Sequence, residues 1–175
     1  MTKIISYIMN IIHHQHRFIL LNKVKRALLI GLCVFISVFI INKLSYYYKI
    51  TLLIPPIAAS CVIIFTLPHS PFSRPKNIFC GHIISAFIGI FLVNTMNITS
   101  LSLSIGLSLS ILFMLITDTL HPPAGATTIL IMSTKSNWHF VFFSVGISAI
   151  TICIISIGYR RLHRFVKEGK KEIHT

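Results

Sequence analysis

Only three acidic residues occur in this chain of 175, Asp118, Glu168 and Glu172, against 16 lysines and arginines. Between Ala27 and Tyr159 a single carboxylate, Asp118, interrupts a series of long apolar runs. Runs of that length suit helices crossing the roughly 30 Å hydrocarbon core of a bilayer. With no water there, only helices or a closed barrel can satisfy the backbone. A composition 54% hydrophobic and 11% charged excludes an ordinary soluble domain. The net charge of +13 could suit nucleic acid. The cations, however, stand at the ends of apolar runs and no recognition motif accompanies them, which is the pattern of membrane topology. The expected partner is therefore the lipid bilayer and not nucleic acid.

Residues 1–26 carry Lys3, Arg17, Lys23, Lys25 and Arg26, with Ile4, Ile5, Ile8, Ile12 and Ile19 near helical spacing. This predicts a basic amphipathic segment on an anionic membrane surface, a pattern that targeting sequences share. His13, His14 and His16 read as a solvated cluster, with metal binding as the sharper alternative. No short apolar core with a small-residue cleavage site opens the chain, so no cleavable signal is expected. Residues 27–159 form the membrane domain. Its full spans are expected over Ala27–Ile41, Ile78–Met96, Leu101–Thr117 and Phe140–Ile157, with Tyr46–Tyr48 and Trp138 as interfacial anchors. Residues 160–175 are a basic cytoplasmic tail. The loop from Pro68 to Asn77 holds three prolines and two cations, with Asn77 placed to cap the next helix. Small residues recur every four positions at Gly81, Ser85 and Gly89 and at Ser102, Gly106 and Ser110, which lets helix backbones approach closely and permits a homo-oligomer. The alternation over Leu101–Ile105 could describe a strand, but a lone strand in lipid leaves its edges unpaired, so helix is expected. Cys33, Cys61, Cys80 and Cys153 lie scattered in apolar runs, so neither disulfides nor a metal site nor a cofactor is expected.

Two of the apolar segments are broken by proline pairs. Pro55-Pro56-Ile57-Ala58-Ala59-Ser60 and Pro122-Pro123-Ala124-Gly125-Ala126-Thr127 share one grammar: Pro-Pro, any residue, a small residue, Ala, a hydroxyl. Adjacent prolines are excluded from a helix interior but fit its first turn, where their missing N–H groups have no partner anyway. Each pair therefore predicts a helix start, with His121 near the cap of the second and Asp118 just before it. The expected fold is an all-α polytopic transmembrane bundle of four full spans plus two Pro-Pro-interrupted shorter helices, and the repeated grammar suggests a 3+3 inverted repeat. If both broken helices cross, the inside holds five cations of the first 26 residues, Arg74 and Lys76, and six beyond Tyr159. If both dip in and return, Arg74 and Lys76 move outside. Both termini are cytoplasmic either way, and a bacterial inner (plasma) membrane is the expected location.

Two helix starts facing one another would present unpaired N–H groups and a partial positive charge, which favour a small anion. Ser60, Thr127 and Thr128 add hydroxyl donors, His121 adds an imidazole, and Ala59 and Gly125 keep the backbone approachable. Plainer roles stand beside these: His121 capping the helix and bonding a backbone carbonyl, Ser60 and Thr127 bonding back to their own helix or to a neighbour. Asp118 could repel an anion, carry a coupling proton or orient His121. His69 and His82 flank the proline-rich loop and read as interfacial. Neither a Gly-x-Ser-x-Gly, a phosphate-cradling glycine loop nor a His-Glu-x-x-His occurs, so the chain is expected not to be an enzyme.

Leu120-His121-Pro122-Pro123-Ala124-Gly125-Ala126-Thr127, with Pro68-His69-Ser70-Pro71, Arg74-Pro75-Lys76-Asn77, Gly81-His82 and Ser85-Ala86 upstream, resembles the HPP family of integral membrane proteins. The likeness runs in order and spacing from about Leu52 to Ile131. It implies a transporter with four transmembrane helices, plant plastid members being linked to nitrite. Residues and resemblance together point to a transporter or channel for a small anion, nitrite among the candidates. A proton-coupled carrier of another small solute and a non-transporting scaffold or sensor are the alternatives.

Overall fold

The computed structural model describes the backbone of residues 2–172 and the side chains of residues 20–162 and 164. Every regular element among them is helical: α1 (Thr2–Tyr48), α2 (Pro55–Thr66), α3 (Pro75–Thr95), α4 (Ser100–Ile116), α5 (Pro122–Thr134) and α6 (Ile147–Glu172). A single 3-10 turn, Pro71–Ser73, precedes α3, and π-helical turns over Phe140–Gly146 run directly into α6. The Leu101–Ile105 stretch lies in α4, which opens with a reciprocal Thr99–Ser102 capping box.

The chain falls into two units, Met1–Ile36 and Ser37–Thr175. In the first, the described backbone is helical throughout, with no break at residue 26, and Leu28, Leu29, Leu32 and Phe35 are exposed, as acyl-chain contact requires. The side chains of residues 1–19 lie outside the described residues, and with them the expected amphipathic face and the His13, His14 and His16 cluster.

Among the described residues, three helical stretches are long and apolar enough to cross a membrane: Leu20–Tyr48, Pro75–Thr95 and Phe140–Leu162. These correspond to three of the four expected full spans. The fourth, α4, has 17 residues; at 1.5 Å per residue it covers about 25 Å, short of the ~30 Å core. The broken helices α2 and α5 have 12 and 13 residues and cover only about 18–20 Å.

Within Ser37–Thr175, α3 packs against α4, α5 and α6, and α5 also against α2 and α4. The small-residue stripes make this possible. A Cβ on Gly81 would lie 3.0 Å from the His121 Cβ and 3.2 Å from that of Ala124, and one on Gly89 would lie 3.0 Å from Ile131 Cγ2. Across the bundle, a Cβ on Gly106 would meet the Met132 thioether at 2.6 Å. Both stripes are thus filled inside the chain, which removes them as surfaces for an oligomer. Trp138 packs edge-on against Phe87 of α3 at 5.4 Å between ring centres.

The proline-rich loop folds inward. Ser73 Oγ donates to the carbonyls of Leu67 (2.6 Å) and Ile63 (3.2 Å), covering the open C-terminal end of α2. The Ser73 carbonyl in turn accepts from Ser156 Oγ of α6. Asn77 is not the cap of α3: Pro75 starts that helix two residues earlier, with Arg74 as its N-cap, so Asn77 is free to donate from Nδ2 to the Leu120 carbonyl at 3.2 Å.

Gly89→Val forces a branched side chain against Ile131 and the Thr128 carbonyl. Thermal unfolding in detergent is expected to show a loss of about 1–3 kcal/mol. Gly158→Ala, where nothing lies within 4 Å, is expected to leave stability unchanged or slightly raised.

Candidate functional site

Residues preceding proline are pushed to extended backbone. Ile54 (φ −102°, ψ 151°) and His121 (φ −134°, ψ 99°) obey, and a Pro-Pro pair occupies the first turn of α2 and of α5. The donor inventory of these starts differs from expectation. Pro55 and Pro56 have no N–H, while Ile57 and Ala58 both donate to the Ile54 carbonyl, at 2.9 and 3.1 Å. In α5, Ala124 N–H donates to the His121 carbonyl at 2.9 Å. The α2 start therefore has no free first-turn N–H to offer a ligand. The helix dipole persists, but donors must come from side chains.

Those side chains converge. Ser60 on α2, His82 on α3, and His121 and Thr127 on or beside α5 are all fully buried. Ser60 Oγ lies 2.8 Å from His121 Nε2, 3.0 Å from His82 Nε2 and 2.9 Å from the Pro56 carbonyl. His82 Nδ1 lies 2.8 Å from Thr127 Oγ1. His121 Nδ1 lies 2.7 Å from the Phe72 carbonyl in the 3-10 turn. A carbonyl only accepts, so His121 carries its proton on Nδ1 and donates it to Phe72. The two imidazole rings stand 5.3 Å apart at 63°. One hydroxyl thus joins two histidines at the point where the two broken helices meet.

Thr128 belongs to a neighbouring cluster: its Oγ1 donates to the Ser85 carbonyl at 2.9 Å and shares a 2.5 Å bond with Ser110 Oγ. Ser85 Oγ beside it is buried with no hydrogen-bond partner. Gly125 is buried, and a Cβ there would come within 2.9 Å of Leu107 Cδ1. Ala59 is exposed and Asp118 is exposed, so neither enters the cluster. Asp118 takes left-handed backbone (φ 51°) and, with Arg74, Phe72, Asn77 and Leu120, lines a separate cavity of about 400 Å³.

The plainer roles are partly realised. Ser60 does bond back to Pro56, and His121 does hold a backbone carbonyl, yet each also reaches across to another helix. His121 makes no side-chain cap hydrogen bond, because its ring turns away from its own helix. His82 corrects the interfacial reading: it is 0% exposed and central. A signal was present, since His82 adjoins Gly81 on the same face as Ser85 and Gly89, and that face had to meet another helix. His69 is exposed, as an interfacial residue would be.

The HPP transmembrane-region family matches residues 21–168 of the chain. This chain belongs to that family. Two transmembrane proteins of Dictyostelium discoideum are similar to this HPP protein. One is 32% identical over 137 residues, covering 70% of the chain and 43% of the relative. The other is 34% identical over 117 residues, covering 62% and 41%. The chain thus spans less than half the length of these relatives. No solved structure matches it. It is a membrane protein of the HPP family, and the motif residues His121, Pro122 and Pro123 are those that form the α5 start.

Ser60→Ala removes the hydroxyl shared by two imidazoles and is expected to destabilise the detergent-solubilised HPP protein by about 1–3 kcal/mol, the penalty for unpaired buried polar groups. Asp118→Asn, exposed and outside the cluster, is expected to leave the unfolding midpoint unchanged.

Proposed function

We propose that this protein is a non-enzymatic membrane transporter for a small anion, with nitrite as the candidate substrate, and that its site is the Ser60–His82–His121–Thr127 cluster. The observation that carries this reading is the Ser60 hydroxyl held between two buried imidazoles at the junction of α2 and α5. A bilayer protein retains ionisable groups at such depth where solutes or protons pass. Broken helices meeting inside a bundle are the arrangement in which transporters place substrate sites. The cluster is closed to solvent, as expected of a resting state between openings to either side. Small donors such as Ser, Thr and imidazole suit a flat, singly charged anion.

The proposed topology is a 3+3 inverted repeat with α2 and α5 as its equivalent broken helices and both termini cytoplasmic. Supporting it are the Pro-Pro starts, the similar lengths of α2 and α5, and their middle place in each triplet of helices. A carrier coupled through Asp118 has less support, because Asp118 stands outside the cluster.

The test is nitrite, nitrate and chloride flux into liposomes holding the purified full chain, with empty liposomes subtracting the passage of nitrous acid. Nitrite flux is expected, reduced roughly tenfold or more in His121→Ala and Thr127→Val, the equivalent of losing about one hydrogen bond to the anion. Folded protein with no flux of any of the three anions sinks the reading and leaves a scaffold or sensor. A second measurement addresses topology: cysteines introduced at Lys43 and at Lys76 are expected to label from opposite sides of the membrane.

A further inference from the structure

The five contacts that run through Ser60, His82, His121, Thr127 and Phe72 ask for one proton more than two neutral imidazoles possess. Thr127 can donate its hydroxyl proton to His82 Nδ1 (2.8 Å), so that His82 Nε2–H donates to Ser60 Oγ (3.0 Å). His121 Nδ1–H is committed to the Phe72 carbonyl. That leaves the single Ser60 proton facing two acceptors, His121 Nε2 at 2.8 Å and the Pro56 carbonyl at 2.9 Å. With neutral histidines one of these contacts must go unmade. Adding a proton to His121 Nε2 resolves the conflict: both His121 nitrogens donate, Ser60 accepts from both imidazoles through its two lone pairs, and its own hydrogen turns to Pro56. A proton on His82 instead leaves the competition at Ser60 in place, because the hydroxyl still chooses between His121 and Pro56.

We propose that His121 is the proton site of a proton–anion co-transport mechanism, with the Ser60 hydroxyl as the element that switches between His121 Nε2 and the Pro56 carbonyl. This rests on the anion-transport reading and adds what that reading leaves open, the coupling. An imidazolium sealed in such a site is unfavourable unless an opposite charge accompanies it. A co-transported anion supplies that charge, which the α2 start, itself the positive end of a helix dipole, does not. The step balances: one N–H bond forms at His121 Nε2 with a proton from the aqueous side, the Ser60 hydrogen rotates without leaving its oxygen, and both changes reverse on release. Around His121 stand Ser60 and, behind it, the Pro56 carbonyl from α2, His82 from α3, Thr127 from α5 through His82, and from α4 the Met114 thioether that meets Gly81 together with His121. The charged groups on that side are Arg74 and Asp118, lining the cavity beyond Phe72 and Leu120. They lie outside the cluster, one of each sign.

Proteoliposomes carrying a trapped pH indicator test the coupling. A nitrite gradient at constant pH is expected to acidify the lumen beyond empty-liposome controls, by close to one proton per nitrite, and clamping the membrane potential is expected to leave the flux unchanged. Ser60→Ala is expected to abolish the acidification, and Ser60→Thr, which keeps the hydroxyl, to restore it. Nitrite flux that follows the membrane potential without acidification overturns the coupling and leaves the transport reading intact. Absence of any flux overturns the transport reading, and the proton site is then judged from nitrogen-15 histidine spectra of the full chain in micelles. There, added nitrite is expected to give His121 a second N–H while His82 keeps its proton on Nε2. An unchanged His121, or a His82 protonated on Nδ1, overturns the assignment.

Discussion

In a solvent that offers no hydrogen bonds, each polar group must find its partner inside the protein, and here that demand is met around one serine. Ser60 is bonded to its own helix, to α3 through His82 and to the α5 start through His121. The 3-10 turn after α2 joins through the Phe72 carbonyl. Four segments, α2, the 3-10 turn, α3 and the α5 start, are thereby fixed relative to each other by contacts that have no aqueous substitute. The apolar packing around them is interchangeable in kind, since aliphatic side chains of similar volume fill similar space. The hydroxyl and the two imidazoles are not.

Proline pairs determine how those contacts arise. A proline at the first turn fixes where a helix begins and forces the residue before it to be extended. At His121 that extended conformation points the ring away from the α5 axis and into the bundle. The same prolines consume the donors of the turn they start: two N–H groups do not exist, and in α2 the next two share Ile54. Helix starts built this way keep the dipole and give up the N–H cradle, so any ligand has to be recognised through side chains.

The helix starts at Pro55 and Pro122, the helical state of Leu101–Ile105 and the packing role of the glycine stripes were all legible in the sequence, because each follows from a local rule. What escaped was non-local. Asn77 precedes an apolar run and so looks like a cap, yet Pro75 opens the helix first and leaves the amide to hold Leu120. Nearness to a polar loop suggests the interface for His82, but its register beside Gly81 decides its burial. The loop from Pro68 to Asn77 was legible as a loop and not as a plug, since its inward fold depends on Ser73 and Ser156 meeting across 83 residues of chain. Asp118 is the lone carboxylate of the membrane domain. It stands on the surface, where a left-handed turn presents it to a cavity shared with Arg74.

The glycines of α3 carry one more consequence. Where α5 lies along Gly81 and Gly89, a Cβ at either position would come within about 3.0 Å of it. That close approach brings side-chain hydroxyls within reach of the opposite helix, so His82 meets Thr127 and the Ser85 carbonyl meets Thr128. The glycines thus set the spacing at which short polar groups, and not long interlocking ones, tie α3 to α5 in a solvent without hydrogen bonds of its own.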